Sequence, residues 1–505
     1  MKKLLAQKTK KSDGMDYLGV DYGTTTSLVT KYMNGEVMHA SSPIPSCMAL
    51  DGAGEIVCGD AALNEYQGRD GFVRSPKRSL NSESSYRDFR NIYGVDCSDV
   101  ICKTLSLLFG QVMSDSAALT LTVPNAFMDW QCREMTEILR NACNSSGLSL
   151  KSFNILPEPV AATIYFIYKN FAPESCPMVD SRGHVLVSDI GGGTTDLAIV
   201  EYEYDSSIHH LSVAVRCTAQ CASLGGDDFT EAIVSVLRKR RCDAADNGMW
   251  RIADYIKRYL TRHESSEYND IVVSREDFYS SISCLASQYE ALLDGMLARF
   301  RAEHNGTNPN NLTVIRVGGS SRIPLFSNIL REKLPDAFFF NMAENTDDGA
   351  VFDSVAMGAA LYSAYADSAL EMFRSIRIEN RTEHSYLMRL SDNRMETCVP
   401  ANVPDGMYYP SRPIHPVQIS SCGVFEIGRL VILQGDGQDG ELAAVAEVKL
   451  DDELYAHGRC PREIDIEFGF EIRNLRLASI SVRIPEATDV MQNEKYQQYE
   501  KVIEL

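Results

Sequence analysis

The sequence predicts an α/β domain over residues 16 to 367, followed by an all-β sandwich over residues 376 to 486. Apolar strand-like runs alternate with amphipathic helix-like stretches up to about Ala366, which indicates an α/β architecture. Within that region, two similar glycine- and threonine-rich turns each join two apolar runs. After Ala366, short alternating runs separated by turn residues dominate, as is typical of an antiparallel sandwich.

Length and composition limit the classes of protein to consider. The 505 residues exceed what one compact core can hold, so we expect about three structural units. The formal charge of -20 argues against a general nucleic-acid binder. Residues 1 to 15 are expected to form a flexible basic tail, because they lack the apolar centre of a signal peptide. No apolar run reaches membrane-spanning length. From the charge we expect no nucleic acid among the partners, and from the missing apolar run we expect no membrane.

The cysteines point to a reducing compartment. The chain has 14 cysteines, without a Cys-x-x-Cys pair or a histidine partner at zinc-site spacing. This distribution indicates that the cysteines serve as small, partly apolar side chains in a cytoplasmic protein. A thiol sensor is the alternative. The chain also lacks the Gly-x-x-x-x-Gly-Lys-Ser/Thr motif, which excludes an ordinary P-loop enzyme.

The two glycine- and threonine-rich turns have the composition of a phosphate-binding site. Residues 21 to 26 read DYGTTT and residues 189 to 194 read DIGGGT, each between two apolar runs. Each therefore predicts a strand, a tight turn and a second strand. Glycines let backbone N–H groups approach anionic oxygens, threonine hydroxyls add donors, and a strand-end aspartate can hold a hydrated divalent cation. Two such hairpins would bind a polyphosphate from opposite sides. The alternative is that both are ordinary hairpins without a ligand.

The other elements follow from hydrophobic period and turn residues. In the α/β region we expect strands at 118 to 123, 152 to 156, 271 to 273 and 312 to 317, helices at 129 to 143 and 160 to 168, and a helix-rich stretch from 227 to 304. A linker is predicted at 368 to 375. In the sandwich we expect strands at 375 to 378, 385 to 388, 424 to 427, 429 to 433 and 446 to 450 and within 463 to 484, and a short C-terminal helix or tail at 487 to 505.

Five short motifs lie along the α/β region. They are DYGTTTS at 21 to 27, PEPVAA at 157 to 162, DIGGGTTD at 189 to 196, LGGDDF at 224 to 229 and VGGSSRIP at 317 to 324. In this order they resemble the nucleotide-binding domain of the seventy-kilodalton heat-shock chaperones, the DnaK-like family, strongly up to about Ala366 and more loosely afterwards. The resemblance implies a two-lobed, actin-like ATPase domain followed by a substrate-binding β-sandwich.

The resemblance also implies a slow ATPase, with ATP or ADP, Mg²⁺ and K⁺ as candidate cofactors. The implied catalytic residues are Lys77, Glu158, Asp189, Thr194 and Asp196. Asp21, Glu158 and Asp189 would hold the magnesium ion, largely through water, because Mg²⁺ keeps part of its hydration shell. Lys77 would stabilise the transferred phosphoryl group, and Glu158 with Asp196 would position the attacking water. Taken singly, Lys77 could also be a solvated lysine and Glu158 a favourable partner of a helix dipole.

The implied nucleotide contacts come from several segments. They are Asp21, Gly23, Thr24, Thr25, Thr26, Gly191, Gly192, Gly193, Thr194, Gly225, Gly226, Asp227, Asp254, Lys257, Arg258, Thr261, Gly318, Gly319, Ser320, Arg322 and Asp353. The spacing from Asp254 to Lys257, Arg258 and Thr261 places these four on one helical face. The family carries a glutamate where this chain has Asp254, which shortens the reach towards the ribose.

The implied partners are polypeptide clients, a J-domain co-chaperone and a nucleotide exchange factor. Two other functions stay open: an ATP-regulated assembly or regulatory protein with one dedicated partner, and a small-molecule kinase of the same superfamily. The sandwich could also lack a peptide groove. The family linker is a run of leucines between acidic residues, whereas residues 368 to 374 are only partly apolar, so we expect modest interdomain coupling. Few residues follow Ile484, so we expect no helical lid and fast peptide exchange.

Overall fold

A computed structural model defines the fold. It describes residues 15–171, 179–240, 246–303, 312–340, 349–382, 384–389, 395–401, 403–404, 406–409, 426–434, 441–449, 467–473, 476–484, 488–489, 494–495 and 499–504. The chain divides into two compact units. Unit 1 comprises Met1–Asn125 and Met135–Ile378, and unit 2 comprises Ala126–Glu134 and Glu379–Leu505. Apart from residue 15, the predicted N-terminal tail lies outside the described residues.

The first half of unit 1 is built on a mixed sheet. Its elements are β1 (Asp16–Tyr22), β2 (Thr26–Met33), β3 (Glu36–His39), β4 (Ile44–Pro45), β5 (Met48–Leu50), β6 (Ile56–Cys58), α1 (Gly59–Tyr66), α2 (Glu83–Tyr93), α3 (Cys97–Phe109), β7 (Ser116–Val123), α4 (Asp129–Ser146), β8 (Ser149–Pro157) and α5 (Glu158–Phe171). The strand order is β3-β2-β1-β7-β8, with β4 beside β2. Strand β1 pairs antiparallel with β2 and parallel with β7, and β7 pairs parallel with β8.

The second half of unit 1 repeats this topology. Its elements are β9 (Arg182–Ile190), β10 (Thr195–Asp205), β11 (His210–Cys221), α6 (Gly226–Lys239), α7 (Asp246–Leu260), β12 (Ser265–Tyr268), β13 (Ile271–Ser274), α8 (Arg275–Ser281), α9 (Ser283–Glu303), β14 (Thr313–Val317), α10 (Pro324–Lys333), β15 (Phe338–Phe340), α11 (Gly349–Ala366) and β16 (Ser375–Glu379). The strand order is β15-β14-β9-β10-β11-β16. Strand β9 pairs antiparallel with β10 and parallel with β14, as β1 does with β2 and β7. The predicted α/β class is therefore confirmed for unit 1.

Glycines allow helix α11 to pack closely in the core of unit 1. A Cβ atom on Gly358 would lie 1.8 Å from the carbonyl oxygen of Ala161 in α5. A Cβ atom on Gly19 in β1 would lie 2.0 Å from the carbonyl oxygen of Ala356. Helix α11 therefore fixes β1, whose end carries the first turn. Within the described ranges, no helix is both long and apolar enough to cross a bilayer.

The junction near residue 370 differs from the predicted linker at 368 to 375. Leu370, Met372 and Phe373 are buried in the core of unit 1. Residues 375 to 378, predicted as the first strand of the sandwich, instead belong to β16, which lies beside β11 in the second sheet. An open sheet edge can accept an extended segment through backbone hydrogen bonds, and local sequence patterns do not reveal that choice. The boundary between the compact units therefore falls after Ile378.

The described residues of unit 2 form two four-stranded antiparallel sheets and a two-stranded one. Its strands are β17 (Tyr386–Arg389), β18 (Met395–Val399), β19 (Gly406–Tyr408), β20 (Glu426–Gln434), β21 (Glu441–Lys449), β22 (Glu467–Arg473), β23 (Arg476–Ile484), β24 (Thr488–Asp489), β25 (Glu494–Lys495) and β26 (Tyr499–Glu504). The strand orders are β18-β17-β20-β21 and β19-β22-β23-β26. Residues 499 to 504, expected as part of a helix or tail, form a strand because pairing with β23 satisfies their backbone groups.

Residues Ala126–Glu134 belong to unit 2, although they lie far from its other residues in sequence. Asp129, the first residue of α4, is buried. Its carboxylate accepts hydrogen bonds from the Tyr386 hydroxyl at 2.9 Å and from the Leu477 backbone N–H at 3.0 Å. Its own backbone N–H donates to Gln434 Oε1 at 2.9 Å. One aspartate thus connects three strands, β17, β20 and β23, that belong to the two four-stranded sheets of unit 2.

Candidate functional site

The two sequence-predicted turns are hairpins that close equivalent strand pairs. The first joins β1 to β2, and its pairing ends at Tyr22 and Ser27. The second joins β9 to β10, and the Gly191 N–H donates to the Thr194 carbonyl oxygen at 2.9 Å. Asp21 and Asp189 stand one residue before the ends of β1 and β9. The duplicated sheet topology therefore delivers an aspartate to each turn.

The two turns face each other in unit 1. A Cβ atom on Gly192 would lie 2.0 Å from Thr25 Cγ2, and one on Gly193 would lie 2.4 Å from Thr24 Cγ2. The two turns are therefore in close contact, and any side chain at these glycines would clash with the first turn. Thr26, the fourth polar residue of the first turn, opens β2 and is exposed. The structure therefore brings together the phosphate-binding residues predicted from two distant motifs.

The predicted residues of α6 lie against the second turn. The backbone N–H groups of Gly226 and Asp227 donate to the carbonyl oxygens of Gly191 and Gly192 at 3.0 and 2.7 Å. A Cβ atom on Gly225 would lie 2.5 Å from the carbonyl carbon of Gly193. These contacts fix the backbone of the second turn at the start of α6.

Four acidic side chains and one lysine surround the facing turns. Lys77 arrives on a short 3-10 helix, Pro76–Asn81, and Glu158 is the first residue of α5. Their side chains are largely buried, and Lys77 Nζ lies 3.2 Å from Glu158 Oε1. The Lys77 charge also influences the carboxyl groups of Asp21 and Asp189. Asp196 accepts a hydrogen bond from the Thr194 hydroxyl at 3.0 Å.

Burial and repulsion between neighbouring carboxylates raise the pKa of both aspartates in this cluster. Burial, followed by the charge of Glu158, raises the pKa of Asp21 to about 7, although Lys77 opposes the rise. The same two causes, with Asp196 and Asp21, raise the pKa of Asp189 well above its usual value. Burial lowers the pKa of Lys77, but Glu158 and Asp21 outweigh it, so the net pKa is raised. A divalent cation would relieve the repulsion among these carboxylates.

The predicted adenosine contacts on α7 form a hydrogen-bonded group. Asp254 pairs with Lys257 and Arg258, each at 2.9 Å. Lys257 Nζ also donates to the Gly226 carbonyl oxygen at 2.9 Å and to the Thr230 hydroxyl at 2.7 Å. Lys257 thus links α7 to the start of α6. The Thr261 hydroxyl donates to the Arg258 carbonyl oxygen just beyond the end of α7.

The third glycine turn approaches the second turn from β14. Gly318 has φ +77, and a Cβ atom there would lie 2.5 Å from Asp189 Oδ1. Gly319, Ser320 and Arg322 follow on the 3-10 helix Gly319–Arg322. A Cβ atom on Gly226 would lie 2.6 Å from Ser320 Oγ. The structure thus places these residues beside α6 and the end of β9.

Asp353 has a partner that the sequence did not predict. Its buried carboxylate lies 2.5 Å from His39 Nε2, at the end of β3. Burial raises the pKa of Asp353, while His39 and Arg322 lower it. The hydrogen bond to His39 holds Asp353 against the first sheet.

Sequence reasoning missed the residues beside Lys77. The Ser75 hydroxyl donates to Asp227 Oδ2 at 2.9 Å, and the Arg74 guanidinium lies 4.0 Å from the centre of the Trp250 ring. Arg78 Nη2 donates to the Gly193 carbonyl oxygen at 2.9 Å. The only available signal was their position next to Lys77, because contacts with residues more than a hundred positions away leave no local pattern.

A duplicated sheet with facing glycine-rich turns has the architecture predicted for a nucleotide-binding protein, and sequence comparison agrees with the family that the motifs predicted. The family model described as Hsp70 protein matches residues 109–404. The chain belongs to the Hsp70 family, as its motifs predicted.

Curated relatives share modest identity with this chain. The chaperone protein HscA of Buchnera aphidicola subsp. Acyrthosiphon pisum (strain Tuc7) is 29% identical over 289 residues, which cover 54% of this chain and 42% of HscA. The chaperone protein DnaK of Mycoplasmopsis agalactiae is 27% identical over 378 residues, covering 69% of this chain and 58% of that DnaK. The chaperone protein DnaK of Metamycoplasma hominis is 25% identical over 394 residues, covering 70% and 60%. The chain thus spans about half the length of these relatives.

Proposed function

We propose that this protein is an ATP-dependent chaperone that binds Mg-ATP between its two phosphate turns and hydrolyses it slowly. One observation carries the proposal: Gly192 and Gly193 of the second turn pack directly against Thr25 and Thr24 of the first, so the donors of the two turns lie side by side. Backbone N–H groups and threonine hydroxyls on opposing turns are donors for phosphate oxygens. The names of the HscA and DnaK relatives support the chaperone role.

The carboxylates beside the turns fit a magnesium ion. Among the described residues no three acidic side chains are gathered as direct metal ligands. Asp21, Asp189 and Glu158 would instead accept hydrogen bonds from the waters that Mg²⁺ retains. When bound, Mg²⁺ would neutralise charge on the phosphate oxygens. Asp21 and Asp189, each one residue before the end of its strand, would hold the ion from the two opposite turns.

The remaining residues of the cluster suit hydrolysis. Lys77 would place a cation at the terminal phosphate, and Glu158, its partner at 3.2 Å, would orient that ammonium and the attacking water. Asp196, held by the Thr194 hydroxyl, is a second carboxylate for orienting water. Phosphoryl transfer needs positioned charge more than covalent chemistry, and one lysine with two carboxylates can supply it. K⁺ remains a further candidate ion.

We propose that unit 2 forms a β-sandwich that binds extended polypeptide. Among the described strands, β19 lies at the edge of its four-stranded sheet, where a peptide could add by backbone hydrogen bonds while apolar residues fill small pockets. Met407 and Tyr409 lie exposed at the edge strand β19. Clients, a J-domain co-chaperone and a nucleotide exchange factor would be partners, and the cytoplasm its location.

The ATP site is tested by calorimetry with Mg-ATP. Asp21→Ala and Asp189→Ala should each weaken binding at least about tenfold, or about 1.4 kcal/mol. Glu65→Ala, which removes an exposed carboxylate of α1, is the matched control and should bind like the wild type. Unchanged affinity in folded Asp21 and Asp189 variants would exclude the site between the turns.

The chaperone role is tested separately, by fluorescence anisotropy of a labelled extended apolar peptide with ATP and with ADP. Peptide affinity should differ between the two nucleotides, and peptide should change ATP affinity by the same factor. Leu370 and Phe373 lie in the segment predicted as the linker, through which coupling was expected. Both are buried, so charged substitutions there would disrupt the core and could not test the coupling. Absence of peptide binding in both states would favour one dedicated partner, and phosphate transfer to a metabolite would favour a kinase.

A further inference from the structure

Arg78 stands beside the proposed catalytic lysine but points to different neighbours. Both residues lie on the 3-10 helix Pro76–Asn81, where consecutive side chains diverge by about 120°. Lys77 meets Glu158 at the start of α5, whereas Arg78 reaches the second phosphate turn and α6. One short helix therefore presents two cations to different parts of the site.

The Arg78 guanidinium is anchored by two acceptors. Its Nη2 donates to the Gly193 carbonyl oxygen at 2.9 Å and to Asp228 Oδ2 at 3.3 Å. Asp228 Oδ2 also accepts the Gly225 backbone N–H at 2.8 Å. The arginine, the second turn and the start of α6 thus form one hydrogen-bonded unit. Because a guanidinium is planar, these bonds also set the direction of the Nε–H group.

The Nε atom of Arg78 lies where the two turns meet. A Cβ atom on Gly193 would be 2.7 Å from Arg78 Nε and 2.4 Å from Thr24 Cγ2. This Nε is buried and has no hydrogen-bond partner among the described residues. An unsatisfied buried donor on a charged group is costly, so such a group is usually matched by a ligand or by water. A phosphate oxygen is the acceptor whose charge and geometry suit a guanidinium.

We infer that Arg78 is a second cationic contact for the terminal phosphate, held in place by Gly193 and Asp228. The inference rests on the proposed ATP site and adds a residue to it. Lys77 would approach the phosphate from the side of Glu158, and Arg78 Nε–H from between Thr24 and Gly193. Because the contact belongs to the terminal phosphate, it acts on ATP and on the transferred group but not on ADP.

The test compares Arg78→Ala and Arg78→Lys with wild type in single-turnover hydrolysis and in ADP binding. Arg78→Ala should lower the hydrolysis rate at saturating ATP at least about tenfold. ADP affinity should stay within about twofold. Arg78→Lys should recover little of the rate, because an ammonium cannot bind Gly193, Asp228 and phosphate with one planar group. Added guanidinium ion should partly restore hydrolysis in Arg78→Ala. Arg87→Ala, on the exposed side of α2, is the control and should behave as wild type.

The outcomes separate this inference from the proposed function. Hydrolysis by the wild type with an unchanged rate in a folded Arg78→Ala variant would overturn the role of Arg78 alone. Equal losses of ADP and ATP affinity would also overturn it, because they would indicate a purely structural role. Arg78→Lys guards against misfolding of the alanine variant, since it retains the charge and most of the side-chain volume. A wild type that binds no ATP would overturn both the inference and the proposed function.

Discussion

The ammonium group of Lys77 lies 3.2 Å from the carboxylate of Glu158. The pair joins a 3-10 helix to the first turn of α5, and both side chains are largely buried. Ion pairing holds the lysine in one place, and the proposed hydrolysis would need such preorganisation of charge. The acidic neighbours that raise the pKa of Lys77 keep it charged.

Lys77→Ala should slow single-turnover hydrolysis at least about tenfold, which corresponds to about 1.4 kcal/mol of lost transition-state stabilisation. The substitution removes the cation proposed to contact the terminal phosphate and leaves Glu158 without this ammonium partner. Lys103→Ala, which changes an exposed lysine of α3, is the control. A rate like that of the wild type in a folded Lys77→Ala variant would remove this lysine from the mechanism.

Asp21→Asn should stabilise the nucleotide-free protein in a pH-dependent way. Burial, with Glu158, raises the pKa of Asp21 from its usual 3.8 to about 7 in the folded state. The unfolded chain therefore loses this proton at lower pH than the folded protein, so stability falls as pH rises through this window. Asparagine does not ionise and avoids that loss.

The difference in melting temperature between Asp21→Asn and wild type should be at least about 2 °C larger at about pH 8 than at about pH 5. Both proteins must be free of nucleotide and divalent cations during the measurement. Asp70→Asn, at an exposed aspartate, should show no such dependence. A constant difference across pH would contradict the raised pKa.

Gly358→Ala should destabilise unit 1 by about 2 kcal/mol or more, because the new Cβ atom would lie 1.8 Å from the Ala161 carbonyl oxygen. Gly295→Ala is a matched control within helix α9, where a Cβ atom meets nothing within 4 Å. This second change should stabilise its helix by about 0.5 to 1 kcal/mol. Hydrogen exchange in α5, α9 and α11 measures both effects, and equal protection in the two variants would refute the close approach.

Asp129→Ala should loosen unit 2. It leaves the Tyr386 hydroxyl and the Leu477 N–H without their acceptor, at a cost of about 2 to 3 kcal/mol. Asp129→Asn keeps one carbonyl oxygen as acceptor and should cost less. Hydrogen exchange of β17 and β23 should accelerate most in the alanine variant. If exchange in these strands is unchanged, Asp129 does not hold them.

Local motifs carried most of the prediction for the candidate site. The turns at residues 21 to 26 and 189 to 194 could be recognised because glycine, threonine and aspartate between two apolar runs favour a tight backbone turn. The membership of the Hsp70 family followed from the order of five such motifs and agrees with the match over residues 109–404. The α/β class followed from hydrophobic periodicity, since alternating strands and helices leave different patterns.

Long-range contacts were not predictable in this way. The bond between His39 and Asp353, the contact of Arg78 with Gly193 and the inclusion of Asp129 in unit 2 join residues more than a hundred positions apart. Ser375–Glu379 had the pattern of a strand, but the pattern could not say which sheet would receive it. The terminal strand Tyr499–Glu504 was missed because a short polar segment gains its extended form only by pairing with β23.

The sequence by itself determined the local conformation of the phosphate turns, the α/β character of unit 1 and the family, because these depend on backbone preferences within a few residues. Only the tertiary structure decided which charges meet, which sheet edge takes β16 and where the compact units divide. Those outcomes depend on burial and on hydrogen-bond partners supplied by distant segments. Such partners are chosen when the whole chain packs, since a buried polar group must find whatever acceptor or donor the fold places beside it.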